Sequence, residues 1–134
     1  MGEVIRIAAI IIQDKSLLLV KGEDKYKEYW TPGGKAKSGE ADLDCLQREL
    51  REEISAKAVS AKFFGEYVSP SLYDVGVVYR SRVYLVEIEG KIIPSNEIKG
   101  FVWMSRKEFE SNKYPLIPAT QGRIIPDLIK KGLF

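Results

Sequence analysis

The chain has 134 residues, the length of one average domain, and its 45% apolar and 30% charged composition supports a single packed core over residues 1–134 while excluding disordered and collagen-like classes. Its 21 Lys and Arg against 19 Asp and Glu leave a net charge of +2, too small an excess for a protein that coats nucleic acid by neutralising phosphates. Histidine is absent and Cys45 stands alone, which removes Ser-His-Asp and Cys-His triads, His-ligated metals, intramolecular disulfides and thiolate cages.

In chain order, the β-branched run Val4–Ile12 predicts a strand, Gln13–Ser16 a turn, and Leu17–Lys21 a second strand, together a hairpin. The apolar stretch Ile7–Ile12 is far below the roughly 20 residues of a membrane span, so no membrane contact and a cytoplasmic location are expected. Polar residues 22–29 lead into Trp30-Thr31-Pro32-Gly33-Gly34, where Pro and paired Gly predict a loop. A helix is predicted over Glu40–Ile54, capped by Ser38 or Gly39. Strands follow over Phe63–Ser69, Gly76–Glu87 and Gly100–Met104. Ser105, with Glu108 three residues on, predicts a capping box for a short helix over Arg106–Ser111, and a terminal helix is expected over Thr120–Lys131 despite Pro126. The pattern is that of a strand-rich α+β or α/β unit.

The long helix carries the chemistry. At about 100° per residue, Leu43, Leu46, Leu50 and Ile54 fall within roughly 80° and form a buried stripe. Glu49, Glu52 and Glu53 gather about 110° away, beside the core rather than opposite it. Three carboxylates within about one turn repel one another, and a hard divalent cation such as Mg²⁺ offsets that repulsion with oxygen ligands that it shares with substrate phosphates. Gly33 and Gly34 can turn sharply and present carbonyls to a cation or amides to a phosphate. The run Arg48–Glu53 alone reads more readily as a solvated face of mixed charge. The wider spacing reverses that weighting, because seven fixed positions from Gly34 to Glu53 coincide by chance at about one start in 10⁸.

Gly34, five residues, Glu40, seven residues, Arg48, Glu49, Leu50, one residue, then Glu52 and Glu53 resembles the signature of the Nudix hydrolases. The strand pair before it, the Trp-Thr-Pro-Gly-Gly approach and the later strands resemble that family's layout. The match departs at its end, where Ser55 and Ala56 stand in place of the usual Gly and large aliphatic residue. The resemblance implies a mixed sheet flanked by helices in an α/β/α sandwich. It implies a Mg²⁺ or Mn²⁺ ion held by Glu49, Glu52, Glu53 and the Gly34 carbonyl, with Arg48 orienting a carboxylate. It also implies that water attacks a diphosphate linkage with Glu52 or Glu53 as base, or with Glu97, the best candidate outside the helix. Glu40 is expected to be structural, paired with Arg48 or Lys37.

The expected substrate is a nucleoside diphosphate linked to another group, foremost a nucleoside triphosphate. Pro70 and Tyr73 resemble markers of ADP-ribose and dinucleoside polyphosphate hydrolases respectively, so those are the competing substrates. A nucleotide-sensing module with the same fold is the competing class, and the intact acids argue against it. Tyr73 is the favoured substrate-stacking residue, and Arg6, Lys21, Arg80 and Arg82 are candidates to reach phosphates. A homodimer is common in the resembled family.

Overall fold

The computed structural model describes residues 2–134. In chain order come β1 (Gly2–Ile10), β2 (Ile12–Gln13), β3 (Ser16–Lys21), β4 (Gly33–Lys35), α1 (Asp42–Ile54), β5 (Lys57–Pro70), β6 (Val77–Glu89), β7 (Gly100–Ser105), α2 (Arg106–Glu110), a π-helical turn (Thr120–Ile124) and α3 (Ile125–Lys130). One sheet has the order β4-β1-β6-β5, with β1 and β6 parallel; the other has the order β2-β3-β7. Ile7, Ala9, Leu18 and Val20 pack with Leu46, Leu50 and Ile54 of α1. Ala8, Ile10, Leu17 and Leu19 pack on the opposite side with Ile124, Ile125 and Leu128. Strands covered on both faces need apolar residues at both parities, which is why these segments read as continuous runs rather than alternations. The result is the α/β/α sandwich of mixed strands expected from the sequence.

Several elements differ from their sequence readings. The predicted hairpin exists only at its tip, where β2 meets β3 through Ile12↔Leu17 and Gln13↔Ser16. Asp14 and Lys15 turn there at φ 49° and 64°, the positive dihedrals that a two-residue hairpin favours. Upstream, β1 belongs to the other sheet, between β4 and β6. Within the predicted Gly-rich loop, β4 pairs antiparallel with β1 through Ala8↔Gly33, Ile7↔Gly34 and Arg6↔Lys35. Gly33 has φ 145°, and a Cβ there would strike the Ile7 carbonyl, so only glycine permits this approach. Strand β5 begins at Lys57, well before Phe63, because irregularities at Ala58/Ser60 and Phe63/Gly65 interrupt the alternation that would have announced it.

Helix α1 starts at Asp42 rather than Glu40, and neither Ser38 nor Gly39 caps it; its N-cap is Ala41, with no side-chain cap. Leu43 is 52% exposed, whereas Cys45, Leu46, Leu50, Glu53 and Ile54 are buried. The buried arc is therefore rotated by about 45° from the expected stripe, towards the acids. At its other end, Ser55 adopts the left-handed conformation at φ 57° and ψ 24°, so the helix exit survives without the usual glycine. The capping box at Ser105 and Glu108 forms as expected. The C-terminal helix splits into the π turn and α3, with Pro126 in the first turn of α3, where its missing N–H costs least.

Candidate active site

The three acids of α1 sit in three environments. Glu53 is 3% exposed, and its Oε1 accepts the Gly33 N–H at 3.1 Å. Burial pushes its carboxyl up to about 8, helped by Glu49 and Glu97 and opposed by Arg6 and the Gly33 N–H. Glu49 lies so close to Gly34 that a Cβ there would land on its carboxylate. The Glu52 side chain is half-exposed.

Arg48 ties this cluster together. Its Nε and Nη2 donate to the two carboxylate oxygens of Glu40 at 2.8 and 2.9 Å, Nη1 donates to Glu49 at 2.7 Å, and Nη2 also donates to the Lys35 carbonyl at 3.1 Å. Glu52 Oε2 lies 3.6 Å from Nη1. Glu40 also accepts the Lys37 N–H at 3.0 Å, and the Arg48 hydrogen bonds, then that N–H, hold its carboxyl down at about 2. The planar guanidinium thus fixes Glu49 from one side and ties α1 to the loop before it. Cys45 is buried beside them with its thiol pushed up to about 11 by burial and then by Glu40, which leaves it inert as a nucleophile.

The loop before β7 closes the C-terminal end of α1. Its Ile93 N–H, Ser95 N–H and Asn96 Nδ2 donate to the carbonyls of Ile54, Glu53 and Glu52 at 2.9, 2.9 and 2.8 Å. That strapping holds the exposed Glu97 near enough to raise the Glu53 carboxyl.

Among the described residues, no three acidic or Cys side chains have converged on one point as a finished metal site. The donors nonetheless suit a hard divalent ion. The three carboxylates and the Gly34 carbonyl offer oxygen only, and the close approach of Glu49 to Gly34 depends on the missing Cβ. An ion would compete with Arg48 for Glu49 and Glu52 and would favour the ionised form of Glu53.

On the opposite face of β1 opens a cavity of about 330 Å³. Arg6 and Ala8 of β1 contribute to its floor, Tyr79 and Ser81 of β6 lie alongside, and Tyr26, Trp30 and Tyr73 line it from loops. Tyr26 and Tyr73 meet edge to face with ring centres 4.9 Å apart, and the Tyr73 hydroxyl bonds Glu28. Arg6 Nη2 donates to the Thr31 carbonyl at 2.6 Å. Burial lowers its pKa, and Glu53 and Glu49 lie near enough for their charges to oppose that shift.

Of the proposed substrate residues, Arg6 and Tyr73 line this cavity, whereas Lys21 and Arg80 do not. Lys21 Nζ bonds the Tyr26 carbonyl, and Arg80 is taken by Glu3 and Glu66 at 2.9 Å each. Arg82 pairs with Asp42 of α1 at 3.0 Å. The parallel register Arg6↔Ser81 explains this: Tyr79 and Ser81 share the cavity face with Arg6, while Arg80 and Arg82 take the other parity. Sequence reasoning passed over Tyr79, Ser81 and the buried Thr31 and Thr120, which also line the cavity. Their signal was strand parity, usable only once the register of β1 against β6 is known.

The chain is 30% identical over 118 residues, 84% of its length and 82% of the relative's, to the CTP pyrophosphohydrolase of Escherichia coli (strain K12). Its fold is similar to the solution structure of the E. coli ORF135 protein, with TM-score 0.77 and 25% identity over 98% of this chain and 92% of that one. It is also similar to the MutT protein from Methanosarcina mazei Go1, with TM-score 0.83 and 18% identity over 98% and 96% of the two chains. No helix among the described residues is long and apolar enough to cross a membrane. The NUDIX domain family model matches residues 3–128, and the chain belongs to the Nudix domain family.

Proposed function

We propose that this Nudix hydrolase, which acts on phosphoanhydride bonds, cleaves a nucleoside triphosphate with the help of a divalent ion, Mg²⁺ or Mn²⁺. The observation that carries the reading is the placement, on the two sides of β1, of an aromatic-walled cavity lined by Arg6 and of a carboxylate cluster whose buried Glu53 lies near enough to feel the charge of Arg6. The cavity suits a flat base, and the acids suit a metal-bound phosphate. The E. coli relative is a CTP pyrophosphohydrolase, which supports a triphosphate over ADP-ribose or a dinucleoside polyphosphate.

Glu49, Glu52, Glu53 and the Gly34 carbonyl hold the ion in this reading. An ion held there would supply positive charge against the phosphate oxygens and would make the attacking water easier to deprotonate. Arg48 keeps Glu49 oriented through its 2.7 Å bond and takes no part in proton transfer. Either Glu52, half-exposed and 3.6 Å from Arg48, or Glu97, an exposed residue of the loop near enough to act on Glu53, accepts the proton of the attacking water. Glu53 is the buried anchor, held to the Gly33 N–H.

The test is a panel of nucleoside triphosphates, ADP-ribose and dinucleoside polyphosphates offered to the purified protein with Mg²⁺, with pyrophosphate and orthophosphate products resolved. Turnover of triphosphates above the other two classes is expected, and the product identifies the bond cut. Glu53→Gln is expected to lower turnover by at least about tenfold while the protein remains folded. Equal turnover in that variant would remove Glu53 from the site.

A further inference from the structure

Arg6 differs from the other arginines of the core sheet. Arg80 and Arg82 are held by carboxylates in direct ion pairs, whereas Arg6 has one hydrogen bond, to the Thr31 carbonyl at 2.6 Å. A guanidinium has five N–H donors in a rigid fork, so most of its donor capacity remains available. It is the one Lys or Arg side chain lining the cavity, where Tyr26, Trp30, Tyr73 and Tyr79 supply flat apolar walls.

We infer that Arg6 reads a ring carbonyl of the base seated in this cavity, which makes it the residue that selects oxo-bearing bases (cytosine, uracil, guanine) over adenine. The inference rests on the reading of the chain as a nucleotide hydrolase. A guanidinium N–H matches the ring carbonyl oxygen that cytosine, uracil and guanine share, with an acceptor nitrogen beside it in cytosine (N3) and guanine (N7), whereas adenine carries an amino donor where guanine has its carbonyl and leaves donors opposed. A phosphate is the poorer occupant. It would leave the aromatic walls unused, and the proposed function already seats the phosphates at the acids of α1, on the other side of β1 from this cavity.

Inosine triphosphate and ATP form a matched pair of near-equal ring size, with a carbonyl or an amino group at the same position. Hydrolysis of both, together with CTP, UTP and GTP, is measured for the parent chain, Arg6→Gln and Arg6→Lys, with thermal melts alongside. The parent chain is expected to favour oxo bases over ATP by at least about tenfold in kcat/KM, and Arg6→Gln to collapse the inosine-to-adenosine ratio by a similar factor. Arg6→Lys keeps the charge without the fork and is expected to retain only part of that ratio, which gives a second reading if the Gln variant folds poorly. An unchanged ratio in both variants, whatever happens to the absolute rates, overturns the inference while leaving the proposed function intact. Absence of turnover on every nucleotide by the parent chain overturns both.

Discussion

Replacing Glu53 by Gln in chelator-treated protein isolates the cost of burying that carboxylate. The folded carboxyl titrates near 8 against an ordinary 4.5, so between these values the native state keeps a proton that the unfolded chain has lost. Stability therefore falls as pH rises from about 4.5 to about 8, and levels off above. At about 1.4 kcal/mol per pH unit, the whole window is worth on the order of 5 kcal/mol, a large share of a domain's roughly 5–15 kcal/mol. Gln reproduces the protonated form and keeps an oxygen for the Gly33 N–H, so its profile lacks this slope. Urea denaturation in EDTA from pH 5 to pH 9 is expected to show the parent chain losing roughly 3–4 kcal/mol more than the variant across that range. Parallel profiles would refute the claim that Glu53 is ionised at a cost in the metal-free fold. Adding Mg²⁺ at pH 8 is then expected to raise the stability of the parent chain and leave Glu53→Gln nearly unmoved, because only the ionised carboxylate gives the metal a ligand.

Arg48→Lys keeps a positive charge but not the fork that grips Glu40 and Glu49 together, and steady-state kinetics are expected to show a loss of about 10- to 100-fold in kcat/KM. Gly34→Ala places a methyl group on the Glu49 carboxylate, the movable end of a side chain, so the melting temperature is expected to shift little while turnover falls by at least about tenfold. Ser55→Gly relieves a non-glycine residue at φ 57° and is expected to stabilise the chain by about 0.5–1 kcal/mol in urea titrations, less than the full left-handed penalty because glycine also loosens the unfolded chain.

The signature from Gly34 to Glu53 was legible because its spacing maps onto a loop and one helix, both local in sequence. The strands of the core were legible as apolar runs for the same reason. Their partners were not: nothing in Val4–Ile12 says that it lies parallel to Val77–Glu89 rather than folding back on Leu17–Lys21. That pairing decided which basic residues face the cavity, so Arg80 was chosen when its neighbours Tyr79 and Ser81 hold the lining positions. Glu53 was counted as one of three equivalent acids. Its burial follows from a rotation of α1 that exposes Leu43 and turns Glu53 inward, and this depends on what α1 packs against rather than on its own periodicity.

The edge strand β4 explains how one chemistry can use both faces of a sheet. The acids come from α1 on one side, and the aromatic cavity opens on the other, so a ligand that touches both has to pass the edge of the sheet. At that edge stand Gly33 and Gly34, and with no side chains there the Glu53 carboxylate reaches the Gly33 N–H. Just before them, the Thr31 carbonyl receives the guanidinium of Arg6. A side chain at Gly33 would push β4 off the Ile7 carbonyl, and one at Gly34 would displace Glu49. The paired glycines thus let β4 lie close against β1, with room beside Gly34 for the Glu49 carboxylate. In the proposed reading, base recognition and hydrolysis are adjacent because the strand between them carries no side chains at Gly33 and Gly34.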